Sequence, residues 1–207
     1  SGSTTQRGWN FGVTSTKSGY QPRNLILQLV GSPPGQAGTG KPTYEVIASD
    51  LRPELNRPYY VAVSVNVAET SEAGITFYLQ DLSQPDAQLQ MAAVPHKVTG
   101  HFRPDLSLVL GDRDGRRSRW DGLLDNIRIS AAALKADELL INSGAGRRVV
   151  GFWQFNQTDA AGQDASPAGN HLAIAGGPVG SRSGIPEHAL ADLCHVILNS
   201  NEFLYLD

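Results

Sequence analysis

The chain has 207 residues, a formal net charge of −3 and only 18% charged residues, so it can bury one sizeable core plus a small appendage and carries no electrostatic footprint for nucleic acid or an anionic membrane surface. A single cysteine, Cys194, excludes an intrachain disulfide and any multi-cysteine zinc or iron–sulfur site, and no run is long and apolar enough to span a bilayer. The 22 glycines and 12 prolines cut the chain into short alternating runs, which is the composition of an all-β protein.

The chain opens on Ser, without a charged-then-apolar signal segment, and passes directly into Gly8-Trp9-Asn10-Phe11-Gly12-Val13, so it reads as an N-terminally incomplete piece of a longer protein. Trp9 to Val13 is the first predicted strand. Leu25 to Val30 is the second, apolar on both faces and therefore central. Gly31 to Pro42 is a hairpin loop that imitates a phosphate-cradling loop, with Gly35 and Gly40-Lys41 at the right spacing. Pro42 stands where that motif needs Ser or Thr for magnesium, and Tyr44 to Ser49 continues as a strand where it needs a helix, so nucleotide binding is rejected.

Tyr59 to Ala68 alternates cleanly, with Val61, Val63, Val65 and Val67 on one face. Ile75, Phe77 and Leu79 alternate in the next strand, and the polar residues Glu69 to Gly74 between them predict an antiparallel hairpin. Leu89, Met91 and Ala93 mark a further strand, and Leu106, Leu108 and Leu110 another before Gly111. Trp120-Asp121-Gly122 is a turn. Ile127 and Ile129 share one face of the strand Asp125 to Ser130, and Ser130 is placed to cap a helix over Ala131 to Leu140 that offers Leu134 and Leu139 to the sheet. The expected core is Val61, Val63, Val65, Phe77, Leu108, Leu110, Ile127 and Ile129.

The run Arg119 to Leu140 resembles the closing motif of laminin-G-like, concanavalin A-like lectin/glucanase jelly rolls, W-x-G-x-(I/L)-D-x-(V/I)-R-I followed by A-L-x-x-x-E-(L/I). The matching residues are Trp120, Gly122, Leu124, Asp125, Ile127, Arg128, Ile129, Leu134, Glu138 and Leu139. Ile75 to Asp81 and Leu108 to Gly111 match further hairpin features of these modules, so the likeness covers roughly Trp9 to Leu140. Val149 to Phe155 with Asp164 to His171 is similar to their usual opening, W-x-F…D-x-S-G-N, although it follows the closing motif here and Pro167-Ala168 interrupts it. Those residues either supply outer strands in permuted order, the favoured reading, or begin a second unit. The resemblance implies a two-sheet antiparallel jelly-roll sandwich over residues 1–175.

Past Pro178 the character changes. Residues 176–184 read as a linker, and Pro186 to Leu198 has Leu190, Leu193, Cys194, Ile197 and Leu198 at helical spacing, the stripe of a short helix. The segment ALADLCHVILNSNEFLYLD is similar to the carboxyl end of a bacterial domain found with planctomycete-type cytochrome c modules in large exported proteins. Residues 185–207 are therefore expected to be the helical tail of a neighbouring domain.

Little chemistry is written in the chain. The superfamily's glycosidases carry E-x-D-x-x-E on one strand so that two acids flank the scissile bond, whereas here Glu45, Asp50, Asp81 and Asp105 are scattered at strand ends. Cys194-His195 cannot attach haem, because C-x-x-C-H needs a cysteine where Ala191 stands; a buried helix cysteine is the expectation. Asp112-Arg113-Asp114-Gly115 starts like a calcium loop, but Leu123 occupies the position of its bidentate Glu. Related lectin modules often hold one calcium in loops, and the resemblance makes Asp164 and Asn170 the candidate ligands, against the plainer expectation that both form turns through their own backbone. Asp125 and Arg128 are expected to brace their strand and the adjoining turn, with a ligand role as the lesser alternative. Arg113, Arg116, Arg117 and Arg119 concentrate positive charge in one loop, either as solvated surface or as a contact for an acidic partner. The resemblance implies a non-catalytic carbohydrate-binding module of an exported, extracytoplasmic bacterial protein. Its partners would be a glycan and the neighbouring domains of the parent chain. The alternatives are a spacer module that binds no sugar and, remotely, a glycoside hydrolase.

Overall fold

Period-two alternation of apolar side chains makes one face of each strand fit only for burial, and two such faces can satisfy each other. A computed structural model describes residues 7–36, 40–102, 107–112, 120, 122–142, 148–156, 162–173 and 197–201. Among them are nine strands: β1 (Gly8–Val13), β2 (Leu25–Gly31), β3 (Thr43–Ala48), β4 (Tyr59–Val65), β5 (Ile75–Asp81), β6 (Gln90–Val94), β7 (Asp125–Ser130), β8 (Val149–Trp153) and β9 (Ile197–Asn201). They form a three-stranded sheet in the order β1-β2-β3 and a six-stranded sheet in the order β6-β5-β4-β9-β7-β8. Pairing is antiparallel throughout except for β9, which runs parallel to both of its neighbours.

One apolar cluster joins the two sheets. Leu25, Leu27, Leu29 and Ile47 of the small sheet pack with Tyr59, Val61, Val63, Val65, Ile75, Phe77 and Leu79 of the large one. The architecture is thus all-β and sandwich-like. Phe11 reaches across to Phe77 with ring centroids 6.3 Å apart, a separation within the range of favourable aromatic pairs. The predicted β4–β5 hairpin forms, in the register Tyr59↔Asp81 to Val65↔Ile75. β2 is central in its sheet, and every one of its residues is buried.

A second cluster lies on the opposite face of β4 and β5. Tyr60, Ala62 and Tyr78 meet Leu134 and Leu139, so the large sheet is buried on both sides at this point. Beyond it, Ile127, Ile129 and Trp153 form a third cluster with Leu110, Leu124 and Leu172. A Cβ at Gly151 would collide with the Trp153 ring, so only glycine leaves space for the indole there. At the turn before β7, Gly122 lies beneath Trp120, where a Cβ would stand 3.0 Å from the indole nitrogen.

Four expectations need correction. The segment after Ser130 is no α-helix: a single 3-10 turn, Ala136–Glu138, is all that forms, and Glu138 caps it by accepting from Lys135 N at 3.0 Å. So short a segment gains too few backbone bonds to offset helix nucleation, and docking Leu134 and Leu139 decides its path instead. Ser130 does not cap it; its hydroxyl is buried within the sheet, with no protein partner among the described residues. β6 is real, but its inward row is Ala92 and Val94, while Met91 is 55% exposed and Leu89 packs on the outer cluster. That is a one-residue change of face, which a weakly apolar strand does not specify. Leu108 is 41% exposed and residues 107–112 form no strand. Leu110 nonetheless reaches the third cluster.

In the expected terminal helix, residues 186–196 lie outside the described residues, and Ile197 and Leu198 are strand rather than helix, since they begin β9. There the backbone groups of β9 are shared with β4 on one side and β7 on the other. Val149–Trp153 is the edge strand β8 beside β7.

Val63 is 1% exposed in the cluster that joins the sheets. Val63→Asp is expected to abolish soluble folding, because an unpaired buried carboxylate costs several kcal/mol, on the order of a domain's whole stability. A thermal melt checks it: a soluble variant with a cooperative transition would contradict this assignment of the core.

Candidate functional site

Three places combine polar groups with defined geometry, and they differ in what their groups are free to do. The first contains the two residues proposed as calcium ligands. Asp164 and Asn170 do come together: the Asp164 carboxylate accepts from Asn170 N at 2.7 Å. It also accepts from Phe152 N at 2.7 Å, Ser166 N at 2.8 Å and Ser166 Oγ at 2.9 Å. Asn170 in turn donates from Nδ2 to Val150 O and accepts through its carbonyl from Trp153 Nε1. The Asp164 backbone N–H donates to His171 Nδ1 at 3.1 Å.

This constellation is a latch that ties the loop 162–173 to β8. Burial pushes the Asp164 carboxyl up, but the donated bonds from Phe152, Ser166 and Asn170 together outweigh it and leave the pKa below the usual carboxylate value. The donor set does not fit a hard cation. Each Asp164 oxygen already accepts two hydrogen bonds, and calcium needs six to eight oxygen ligands with lone pairs directed at it. No group of three or more metal-ligating side chains occurs among the described residues.

The second place is the outward face of the large sheet, where Arg128 is 1% exposed and donates from Nη2 to Glu138 O at 2.9 Å. Burial lowers its pKa from the usual arginine value, with Tyr60 opposing that shift. Arg128 thereby pins the 3-10 turn on the sheet beside the contact that Leu134 and Leu139 make with Tyr60 and Tyr78. Asp125 serves its own strand, accepting from Asn126 N at 2.9 Å, where Asn126 adopts φ 50° at an irregularity of the β7 ladder. The bracing role expected of both charges agrees with these bonds.

The third place was not singled out from the sequence. An open polar depression of about 400 Å³ lies at the rim of the core. It is lined by the buried Tyr59 and Leu79 with Ala87, by the charged Arg52, Glu54, Arg57 and Asp81, and by Gln84, Gln88 and Gln90, with Gln84 Nε2 donating to Asp81 Oδ2 at 3.4 Å. Arg57 bridges both acids, with Nη1 3.1 Å from Asp81 Oδ2 and Nη2 3.2 Å from Glu54 Oε2. Asp81 also accepts from Ser83 Oγ and Ser83 N. The Ser83 hydroxyl first, then the Ser83 amide and Arg57, hold its carboxyl below the usual range against a smaller opposing effect of desolvation. The walls are set by the backbone: Glu54 N donates to Tyr59 Oη, Leu82 N to Pro58 O, and Gln80 Nε2 to Ala87 O. The only sequence signal was the polar stretch Ser83 to Gln90 between two strands, which any hairpin loop would show.

His96 is 3% exposed, with its ring nitrogens 3.0 Å from Val98 O and 2.8 Å from Glu69 O, so it clasps two loops and offers nothing to a metal. Glu45 accepts from Lys97 N and Val98 N. Asp105, the cluster Arg113, Arg116, Arg117 and Arg119, and Cys194-His195 lie outside the described residues. Among the described residues, no helix is long and apolar enough to cross a membrane. No known family model matches the chain, and neither a curated protein nor a solved structure is detectably similar to it.

Asp164→Ala removes one acceptor of four hydrogen bonds and leaves buried amides unpaired, so it is expected to cost about 2–4 kcal/mol in chemical denaturation. Because the folded pKa lies below the unfolded value of roughly 3.9, this contribution is fully present above that pH and is lost as pH falls through the lower folded value. The variant's acid-unfolding curve should lack that component. Adding millimolar calcium to the parent protein is expected to leave its melting temperature unchanged; a rise would show that the latch opens to bind the ion.

Proposed function

We propose that the chain is a non-catalytic carbohydrate-binding module of the concanavalin A-like jelly-roll kind, carried by a larger exported bacterial protein and working outside the cytoplasm. The support for family and location is the likeness of Trp120 to Leu139 and Val149 to His171 to the motifs of such modules. The observation that carries the non-catalytic part is how the carboxylates are used. Glu54 and Asp81 share Arg57; Asp125 and Glu138 accept from backbone amides within their own segments, Glu45 accepts from Lys97 N and Val98 N, and Asp164 from Phe152 N of β8. A glycosidase needs one carboxyl kept protonated as an acid, with a second across the scissile bond. Asp81 and Asp164 are shifted the opposite way, toward the permanently ionised form.

The outward face of β4 and β5 argues in the same direction. Where an enzyme of this architecture would need an open cleft with facing acids, Tyr60, Ala62 and Tyr78 are covered by Leu134 and Leu139. A binding role needs no such cleft. Weak polar recognition by pre-set side chains on loops at a rigid sandwich's rim is enough.

A glycan array probed with the folded protein is expected to show binding to at least one carbohydrate class, with no release of reducing sugar from the bound ligand on prolonged incubation. Silence across neutral and acidic glycans would leave the spacer role; reducing-sugar release would restore the hydrolase.

A further inference from the structure

We infer that the depression between Arg52–Tyr59 and Gln84–Gln90 is the ligand site, and that it takes a neutral, hydroxyl-rich chain rather than an acidic one. This rests on the carbohydrate-binding reading above and adds to it a place and a ligand class.

The class follows from charge and from hydrogen-bonding capacity. Arg52 and Arg57 are matched by Glu54 and Asp81, two cations against two anions, so the lining has no formal charge. Arg57 is moreover already engaged on both sides, at 3.1 and 3.2 Å, and a ligand carboxylate or sulfate would have to displace Asp81 or Glu54 to use it. The rest of the polar lining is three glutamines, Gln84, Gln88 and Gln90. Gln84 donates one N–H to Asp81 Oδ2 at 3.4 Å and Gln88 one to Asp86 O at 3.3 Å, and each amide still has a second N–H and its oxygen to offer a sugar hydroxyl, whereas an anion can use only donors. The apolar part of the lining is small: Leu79 and Tyr59 lie buried at the end of the core row and only Ala87 is half-exposed, so recognition falls mainly to the polar side chains.

The place follows from rigidity and exposure. Gln90 begins β6 and pairs with Leu79 across the ladder, so its side chain is anchored on a strand. Gln84 and Gln88 sit on a loop whose shape is held by Gln80 Nε2 to Ala87 O at 2.8 Å and by Asp81 with Ser83 N at 2.8 Å. All three glutamines are exposed, while the Tyr59 and Leu79 beneath them are buried. Binding there requires no rearrangement of the sheets, and little ordering entropy is lost on the protein side.

The test is titration of the full chain with neutral β-glucan, xylan, mannan and galactan hexasaccharides, and with oligogalacturonate and a heparin hexasaccharide. These titrations are repeated on Gln88→Ala/Gln90→Ala, whose two sites are exposed and should leave the melting temperature unchanged. Expected are saturable binding of a neutral hexasaccharide, a Kd that moves less than about twofold between low and high salt, and at least about tenfold weaker binding by the double variant. Neutral binding untouched by the double variant would overturn the place and leave the carbohydrate reading standing. Binding of the acidic probes alone, steeply weakened by salt, would overturn the ligand class. Binding of none of the six would bring down both the site and the reading on which it rests.

Discussion

The hairpin of β4 and β5 is buried on both faces, and most of the architecture serves that constraint. On the inner face Val61, Val63, Phe77 and Leu79 are at most 2% exposed; on the outer face Tyr60, Ala62 and Tyr78 are at most 3% exposed. One sheet cannot achieve this alone. The inner row requires the small sheet, which contributes Leu25, Leu27 and Leu29, and the outer row requires the segment that carries Leu134 and Leu139. Each fully buried aliphatic or aromatic side chain contributes on the order of 1.5–3 kcal/mol, so losing either cover would remove several such contributions together.

The outer cover explains why an arginine is buried in a β-strand. The segment after β7 is too short and irregular to satisfy its own carbonyls, and Arg128 supplies a donor to Glu138 O from beneath. Burying a guanidinium is costly, as the lowered Arg128 pKa reflects, and the arrangement is tolerable because long aliphatic stems can pack within a sheet while the head group is hydrogen-bonded. The same logic operates at β8. Trp153 fills the third cluster only because Gly151 makes room and Asn170 receives its indole N–H, and Asn170 is placed by Asp164. In both places a polar group conveys the position of one element to the next, and the packing depends on it.

Where the covers end, the molecule can meet a ligand. The core row of the large sheet runs out at Tyr59 and Leu79, and polar side chains from two loops stand around that rim. The balanced quartet of Arg52, Glu54, Arg57 and Asp81 is worth little as surface ion pairing, about 0–1 kcal/mol per exposed pair. Its consequence is that the rim carries no formal net charge.

Much of the scaffold was legible from the residues themselves. The alternation of Val61, Val63 and Val65 with small or polar partners, the polar link before Ile75, and the doubly apolar run Leu25 to Val30 each dictate a strand and its face, because a side chain's periodicity and polarity are local properties. The Asp164 turn was legible for the same reason, since its bonds to Ser166 and Asn170 N are made within a few residues, whereas its bond to Phe152 and that of Asn170 to Val150 were not. Tertiary packing alone decided the rest. Leu108 looks like Val63 in sequence, yet it is exposed and lies outside the described strands. Ala131 to Leu140 has helix-forming residues, yet it forms bends and a single 3-10 turn, with two leucines packed on one sheet. The face of β6 was set by its partner β5, through the pairing of Ala92 with Phe77, and not by its own weakly apolar residues. The polar rim joins Arg52 to Gln90, residues separated by two strands, and its charge balance exists only in space. Such features arise from which elements meet, and a single sequence does not record that.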